Sequence, residues 1–509
     1  MKMKRTVNIA MLVTVSVLAA CGPARAHVTV PTVFGDNMVL QRDVELPVWG
    51  QATPGQKVTV SIGAASASAT ADEKGSWAVK LPTMKCLAKQ TGLTMTIKGA
   101  PLPAEVIERL KAEAKAKTEA KAKASAEAAA KAKAEGKPEP KPQPEPKPLT
   151  DTIVLKNILI GEVWLGSGQS NMEFELGKSL NGKDAIAAAD LPNIRLYHVP
   201  RTKNWYPQKD VNASWEVCSP ETSPNFSAVL YYFGKRLQDE LNVPIGLINA
   251  SWGGTAIEPW TATNETRTHV GIYYNGMIAP LQPFAIRGVA WYQGETNVFA
   301  SNGFKYYDKT KHLIESWRKT FQNDKLPFHM VQLAPWGGGY VKGQLPALWE
   351  AQVASLKIPD TGLVVTTDLV DDIKDIHPRN KLPVGNRLAL WALAKDYGRK
   401  DLVYSGPLYK SMKIEGDKIR VSFAHVGGGL LARDNKELNE FQIAAADGKF
   451  VAAKAVIDGQ TVLVSAEGVA APTNVRFGWR SIANPNLMNQ AELPASPFKT
   501  DDWQGFTGQ

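Results

Sequence analysis

A serine stands where an apolar, strand-like run gives way to a polar segment in this 509-residue chain. Residues 163–165 read Val-Trp-Leu, and residues 168–172 read Gly-Gln-Ser-Asn-Met. A serine that follows a strand and enters a helix exposes its hydroxyl at the sheet edge, where the first helical turn offers backbone N–H groups to a developing oxyanion. Ser170 is therefore a candidate nucleophile, and an N-cap role is the alternative interpretation.

Two further polar clusters also follow strand-like runs. Gly253 and Gly254 come after the apolar residues 245–249, and adjacent glycines let backbone N–H groups approach a ligand closely. A plain turn between a strand and a helix is the alternative for this pair. Gln293, Glu295 and Asn297 follow residues 288–292, so that two amides and a carboxylate stand at the end of one strand.

One of the seven histidines stands apart from the others. His377 alone lies in a loop after a strand with acids close by, namely Asp371, Asp372 and Asp375. Pro378 disfavours a helical conformation for the residue before it. A serine first, a base last and donors between them are what acyl transfer requires. The base takes the serine proton, and a carboxylate orients the imidazole and stabilises its charged form.

The elements that must position these residues alternate between strand and helix. Helical patterns cover residues 224–241, 306–320 and about 382–396, and apolar strand-like runs cover residues 163–165, 245–249, 288–292, 328–333 and 363–367. This alternation over residues 159–404 predicts an α/β unit whose parallel sheet is covered on both faces. Chemistry in such sheets takes place just beyond the carboxyl ends of the strands.

The flanking regions have other patterns. Short alternating strands predict an N-terminal β-sandwich over residues 27–100, completed by residues 151–158, and a C-terminal β-sandwich over residues 405–509. Residues 101–150 are rich in Ala, Lys and Glu and then in Pro, a composition that cannot bury a core. We interpret them as a solvated insertion, with a tether to the cell wall or surface as the alternative.

The N-terminus has the pattern of an export signal. Basic residues at positions 2–5 precede a short apolar run, which predicts a signal peptide over residues 1–26. Residues 18–21, Leu-Ala-Ala-Cys, match a lipobox that ends at Cys21. We expect an exported protein, either a periplasmic or outer-membrane-associated lipoprotein or a secreted one. Cys86 and Cys218 would then remain; an oxidising compartment would allow them to pair, and nothing in the sequence establishes that they are close.

Composition excludes several classes of protein. The hydrophobic fraction of 44% and charged fraction of 21% are those of a globular chain. The net charge of +10 is spread without a basic stripe, so no nucleic-acid partner is expected. The three cysteines lack metal-ligand spacing, and no metal is predicted. Apart from a lipid anchor at Cys21, no membrane contact is expected.

Four motifs in this order resemble the bacterial sialate O-acetylesterase family of the SGNH hydrolase superfamily. They are residues 161–165, 168–172, 291–297 and 375–378, supported by residues 34–41 and 493–501. The resemblance covers nearly all of the mature chain except about 101–149. It implies a flavodoxin-like three-layer α/β/α core that removes acetyl groups from sugar hydroxyls without a cofactor.

The resemblance also implies roles for single residues. Ser170 corresponds to the nucleophile and to one oxyanion donor, and His377 to the base. Gly253 or Gly254 corresponds to the second oxyanion donor. The third donor of the superfamily is an asparagine; here we favour Gln293 over Asn297, because a residue at a strand end is better fixed than one farther along the loop.

The acid of the triad is less well matched. The superfamily places it three residues before the histidine, where this chain has Lys374. Asp375 is the nearest substitute, and in related acetylesterases the glutamate that corresponds to Glu295 serves the histidine instead. Both assignments stay open.

The predicted function is that of an exported carboxylic ester hydrolase, a serine carbohydrate O-acetylesterase. Its partner would be an acetylated glycan, with sialate 9-O-acetyl or acetylxylan-type groups cleaved through an acetyl-serine intermediate. A non-catalytic carbohydrate-binding surface protein is one alternative. A general esterase or lipase of the same superfamily is the other.

Overall fold

The computed structural model describes residues 28–86, 91–103, 151–264 and 269–501, with scattered residues between 105 and 123. The predicted signal peptide over residues 1–26, with its lipobox at Cys21, lies outside the described residues, as does most of the insertion over residues 101–150. Within the described ranges, no helix has both the length and the apolar character that crossing a bilayer requires.

The N-terminal region is built from short strands that, apart from the first, pair antiparallel. Their inward positions are apolar, as in the third strand, where Val58, Val60 and Ile62 are buried. The strands are β1 (Val39–Gln41), β2 (Leu46–Gln51), β3 (Lys57–Ile62), β4 (Ala65–Thr70), β5 (Ser76–Leu81) and β6 (Leu93–Gly99). β2 pairs with β5, and β3 pairs with both β4 and β6.

One long strand joins this region to the centre of the molecule. β7 (Thr152–Gly168) has 17 residues, and its first half pairs antiparallel with β6, with Ile153 opposite Ile97. Its second half lies in the central parallel sheet. The boundary expected between residues 158 and 159 therefore falls inside a continuous strand, and the buried residues on its two sides form one hydrophobic core.

The central region alternates strands and helices. In chain order these elements are α1 (Ser170–Glu173), α2 (Gly182–Ala187), β8 (Leu191–His198), β9 (Trp215–Cys218), α3 (Ala228–Leu241), β10 (Ile245–Ser251), β11 (Gly288–Tyr292), α4 (Glu295–Phe299), α5 (Tyr306–Thr320), β12 (Phe328–Val331), α6 (Gln344–Ala354), β13 (Thr361–Val364) and α7 (Leu382–Lys395). The sheet order is β13-β12-β11-β7-β10-β8-β9. All neighbours are parallel except β9, which runs antiparallel to β8.

The predicted parallel arrangement is confirmed for the five strands that the sequence indicated. β8, β9 and α6 were not predicted. The sheet is therefore mixed rather than wholly parallel, because the β8–β9 pair adds an antiparallel edge.

Helices contact the sheet on both faces. On one face, Gly166 of β7 lies against Leu230 of α3, and Gly362 of β13 lies against Trp391 of α7. On the other face, the ring of Trp317 in α5 lies 6.1 Å from that of Trp291 in β11. Burying these apolar faces is the main favourable contribution to folding this region.

The C-terminal region consists of β-sheets around a separate apolar core. The strands are β14 (Leu408–Glu415), β15 (Lys418–Ala424), β16 (Leu430–Ala432), β17 (Phe441–Ala445), β18 (Val451–Ala452), β19 (Lys454–Asp458), β20 (Thr461–Ser465), β21 (Pro472–Phe477), β22 (Leu487–Asn489) and β23 (Phe498–Lys499). Two four-stranded sheets have the orders β14-β15-β20-β19 and β18-β17-β21-β23, and β16 pairs with β22.

Cys86 and Cys218 are not joined to each other. Cys218 is buried, and burial raises the pKa of its thiol to about 12. The pairing that the sequence left open is therefore absent from this structure.

Candidate active site

The end of β7 holds Ser170 at the carboxyl edge of the parallel sheet. Gly168 has a φ of +133°, and a Cβ there would lie 2.1 Å from the carbonyl oxygen of Tyr292, so only glycine fits. Gln169 then caps α1, its carbonyl accepting the N–H groups of Met172 and Glu173. Ser170 is the first residue of α1, where a backbone N–H has no acceptor within the helix.

The loop after β13 brings His377 to Ser170. The Nε2 atom of His377 lies 2.8 Å from the Oγ atom of Ser170, a hydrogen-bond distance. The ring of Phe174 stacks against the imidazole with centroids 6.3 Å apart. The structure thus brings together Ser170 and His377, the candidate nucleophile and the candidate base, which are 207 positions apart in the sequence.

Asp375 is the carboxylate beside the other imidazole nitrogen. Its Oδ1 atom accepts the backbone N–H of His377 at 2.8 Å and lies 3.5 Å from Nδ1. The second distance suits an ion pair but is long for a hydrogen bond. Both side chains are partly open to solvent, with 34% of His377 and 47% of Asp375 exposed.

The environment favours the neutral form of His377. Burial lowers its pKa below the ordinary 6.5, and the positive charge of Lys381 acts in the same direction, whereas Asp375 opposes both. An unprotonated Nε2 is the form that can accept a proton from Ser170.

A buried charged network lies beneath the serine. Lys381 Nζ donates to Asn171 Oδ1 at 2.5 Å, and Asn171 Nδ2 donates to Glu295 Oε1 at 2.5 Å. The three side chains are 1%, 2% and 3% exposed, respectively. Burial raises the pKa of Glu295 and lowers that of Lys381 to about 7, since each charge is costly away from water.

Glu295 therefore accepts a hydrogen bond from Asn171. One of the two alternatives drawn from the sequence had Glu295 orient His377 instead. Asn171 Nδ2 also donates to the carbonyl of Ile376 at 3.1 Å, which ties the network to the residue before His377. Of the two acids considered, Asp375 is the one within ion-pair distance of the imidazole.

The side-chain amides of Gln293 and Asn297, the two candidates for the third oxyanion donor, already donate to other groups of the protein. Gln293 Nε2 lies within hydrogen-bond distance of three acceptors, on Gln169, Thr255 and Asn297. Asn297 Nδ2 is shared between Glu258 and Asn302. Neither Gln293 nor Asn297 has an amide hydrogen left for a ligand, so this arrangement does not support either as third donor. Both instead brace the strand-end loops.

Gly253 lies against Ser170. A Cβ at this position would be 3.2 Å from the Cβ of Ser170. Its backbone N–H donates to Glu173 Oε2 at 2.9 Å, and Glu173 also forms an ion pair with Arg201 at 2.6 Å. Gly254 has a φ of +73°, which permits the turn. Of the two glycines, Gly253 is thus the one in contact with Ser170.

The sequence interpretation missed Lys381, Glu173 and Arg201. A lysine is usually solvated, and only the packed structure shows that Lys381 is buried. Its spacing of four residues from His377, at the start of a helix, was the one available signal. Glu173 lies directly after the quoted Gly168–Met172 motif and could have been included in it. Among the described residues, no group of three or more His, Cys, Asp or Glu side chains is placed to hold a metal ion.

Comparisons with known proteins indicate the family to which the chain is similar. Residues 160–393 match the family model described as carbohydrate esterase, sialic acid-specific acetylesterase. The sialate O-acetylesterase of Homo sapiens is 32% identical over 311 residues, and that of Mus musculus 31% identical over 337 residues. These matches cover 52% of this chain and only 59% and 61% of the two relatives.

A solved structure is similar over much more of the chain. The crystal structure of a carbohydrate acetylesterase from Xanthomonas citri superposes with a TM-score of 0.79 at 35% identity. The match covers 94% of this chain and 100% of that one. With this match and the family model together, the chain belongs to the sialate O-acetylesterase family of carbohydrate esterases.

Proposed function

We propose that this protein is a serine carbohydrate O-acetylesterase, which hydrolyses acetyl esters on the hydroxyl groups of a glycan. The observation that carries the proposal is the 2.8 Å contact between Ser170 Oγ and His377 Nε2 at the carboxyl edge of the sheet. Family membership supports the reaction class.

The mechanism has two acyl-transfer steps. His377 Nε2 takes the proton of Ser170 as Oγ attacks the acetyl carbonyl carbon, and the sugar oxygen then leaves with that proton. A water that gives its proton to His377 attacks the acetyl-serine, acetate leaves, and Ser170 regains its proton. The backbone N–H of Ser170 is one oxyanion donor. Gly253 supplies a second once the acetyl oxygen replaces the carboxylate of Glu173 at its N–H.

The proposed architecture is a flavodoxin-like three-layer SGNH core with flanking β-sandwiches. Helices on both faces of the sheet support the three layers. Export by the signal peptide over residues 1–26, with lipidation at Cys21, remains part of the proposal. Mass spectrometry of the mature N-terminus tests it: a diacylated Cys21 supports an anchored lipoprotein, and an unmodified His27 supports plain cleavage.

Acetate release tests the function. The protein without residues 1–26 is incubated with acetylated xylan, 9-O-acetylated sialic acid and 4-nitrophenyl acetate, and quenched samples are digested for mass spectrometry. We expect acetate from at least one glycan and an acetyl group on the peptide that contains Ser170. Cleavage of 4-nitrophenyl acetate but of no glycan would favour a general esterase. Release from none of the three would favour a carbohydrate-binding role.

The pH dependence should reflect His377. Because burial and Lys381 lower its pKa, and the reaction needs the neutral imidazole, the acidic limb of kcat/KM should have its midpoint below 6.5. Activity falls as pH decreases through that midpoint, since His377 becomes protonated. Rates of 4-nitrophenyl acetate hydrolysis between pH 4 and 8 measure it. A midpoint above 6.5 would contradict the assignment.

Asp375→Asn should lower kcat by roughly 100-fold. Loss of a buried triad acid costs about 10⁴-fold, and the exposure of Asp375 to solvent weakens its effect on His377. Asp372→Asn is the matched control in the same loop and should leave kcat within about twofold, because asparagine keeps the turn-forming acceptor. Equal rates for Asp375→Asn and the control would remove Asp375 from the mechanism.

A further inference from the structure

A partly exposed aromatic cluster adjoins the loop that carries His377. Phe299, Trp336 and Tyr340 contact one another, with ring centroids 5.5 Å, 4.8 Å and 4.6 Å apart for the three pairs. We call these three residues the aromatic platform. Phe299 is 53% exposed, and Val341 and Ile482 beside the platform are 51% and 47% exposed. A contiguous apolar patch of this kind on a water-facing surface marks a ligand or interaction site.

Hydrogen bonds tie the platform to the catalytic loop. Trp336 Nε1 donates to the carbonyl of Lys374 at 3.0 Å, and the N–H of Gly337 donates to the carbonyl of Ile373 at 2.8 Å. The N–H of Trp336 donates to Ser481 at 2.7 Å, so the C-terminal region supports the platform from the other side. Its position is therefore fixed relative to the loop that holds Asp375 and His377.

The platform also extends toward the buried network beneath Ser170, which contains Glu295. Phe299 ends the same short helix that Glu295 begins. Burial raises the pKa of the Tyr340 hydroxyl, and the nearby Glu295 carboxylate acts in the same direction. The imidazole of His377 itself is stacked by Phe174. The platform thus lies beside the loop that carries His377, whereas Phe174 stacks directly on the imidazole of His377.

We propose that the aromatic platform binds the sugar ring next to the acetylated one, so that the enzyme acts on an oligosaccharide or polysaccharide in preference to a free monosaccharide. Aromatic faces bind the apolar C–H faces of pyranose rings, and aromatic anchors contribute most of the energy at such sites. The continuity of the platform with the catalytic loop favours a part of the substrate as its occupant over a separate partner. This inference rests on the proposed esterase function.

Phe299→Ala is the least disruptive test of the proposal, because the hydrogen bonds to the loop that carries His377 come from Trp336 and Gly337 and not from Phe299. We expect KM for acetylated xylo-oligosaccharides to rise roughly tenfold, with kcat and the rate on 4-nitrophenyl acetate unchanged. Phe299→Trp should restore most of the lost affinity. Phe304→Ala is the matched control, since Phe304 is 51% exposed but lies beside α6.

The alternative occupants give different results. Equal loss on the glycan and on 4-nitrophenyl acetate would show a merely structural role and overturn the proposal. A loss confined to 4-nitrophenyl esters with longer acyl chains would assign the platform to the acyl group and also overturn it. An equal rise in KM for acetylated monosaccharide and oligosaccharide would refute binding of the neighbouring ring.

A binding measurement separates this inference from the proposed function. Calorimetry compares Ser170→Ala with the double variant Ser170→Ala/Phe299→Ala, using acetylated xylo-oligosaccharide and 9-O-acetylated sialyl oligosaccharide as probes. Binding of either probe that weakens about tenfold without Phe299 supports the platform even where turnover fails. Unchanged affinity for both probes, or no binding of either, overturns it.

Discussion

Replacing Ser170 or His377 with alanine should lower kcat for acetyl ester hydrolysis by roughly 10⁵-fold to 10⁶-fold. The two side chains act as one unit, because the 2.8 Å contact is what transfers the serine proton. The double variant should therefore be no slower than either single variant. Residual acceleration of about 10³-fold over water is expected from the oxyanion donors and substrate binding alone.

Matched controls come from the same strand and from the surface. Ser167→Ala removes a buried hydroxyl without a hydrogen-bond partner three residues before Ser170, and His312→Ala removes an exposed histidine on α5. Both should retain nearly full activity. Initial rates on 4-nitrophenyl acetate and on an acetylated glycan check all four single variants. If the loss of kcat in Ser170→Ala/His377→Ala equalled the product of the two single losses, the two residues would act independently, which would contradict the proposed mechanism.

Ser170 and His377 could be predicted because their signals are local. Ser170 follows one apolar run and His377 lies in the loop after another, and the carboxyl ends of parallel strands meet at one edge of the sheet, so sequence order alone brings the two loops together. The donors could not be resolved in the same way. Whether Gln293 or Asn297 is available depends on which carbonyl and carboxylate groups pack around it, and these come from distant segments.

The missed elements have a physical explanation of the same kind. β8 contains Pro192 and Arg195, which are typical of exposed or irregular chain. Arg195 is nevertheless buried, because its guanidinium donates to the backbone carbonyls of Asn37 and Asn157 from the N-terminal region. α6 is buried on nearly all sides and so lacks the amphipathic pattern that reveals a surface helix.

Lys381 shows most clearly what tertiary packing adds, and its replacement should have the largest effect on stability. Lys381→Met is expected to lower the free energy of unfolding by about 3 kcal/mol at pH 6, where Lys381 is still protonated, because it leaves Glu295 buried without its neighbouring positive charge. We expect the low end of the range for breaking a buried charge pair. Burial raises the pKa of Glu295, so uptake of a proton by its carboxylate relieves part of the cost of leaving it unpaired. Urea denaturation measures the change.

A double-mutant cycle isolates the coupling. Lys381→Met/Glu295→Gln removes both charges, so it should be less destabilised than the sum of the single variants by at least about 1 kcal/mol.

The pH dependence of stability tests Lys381 separately. Folding lowers the pKa of Lys381 from 10.5 to about 7, so between these two values the unfolded chain binds a proton that the folded chain does not. Lys381 should therefore make the free energy of unfolding of the wild type rise as pH increases through this range. Lys381→Met should lose that rise. Additive losses, or an unchanged pH dependence, would mean that Lys381 and Glu295 are not coupled through Asn171, and the network beneath Ser170 would then be packing rather than electrostatic support.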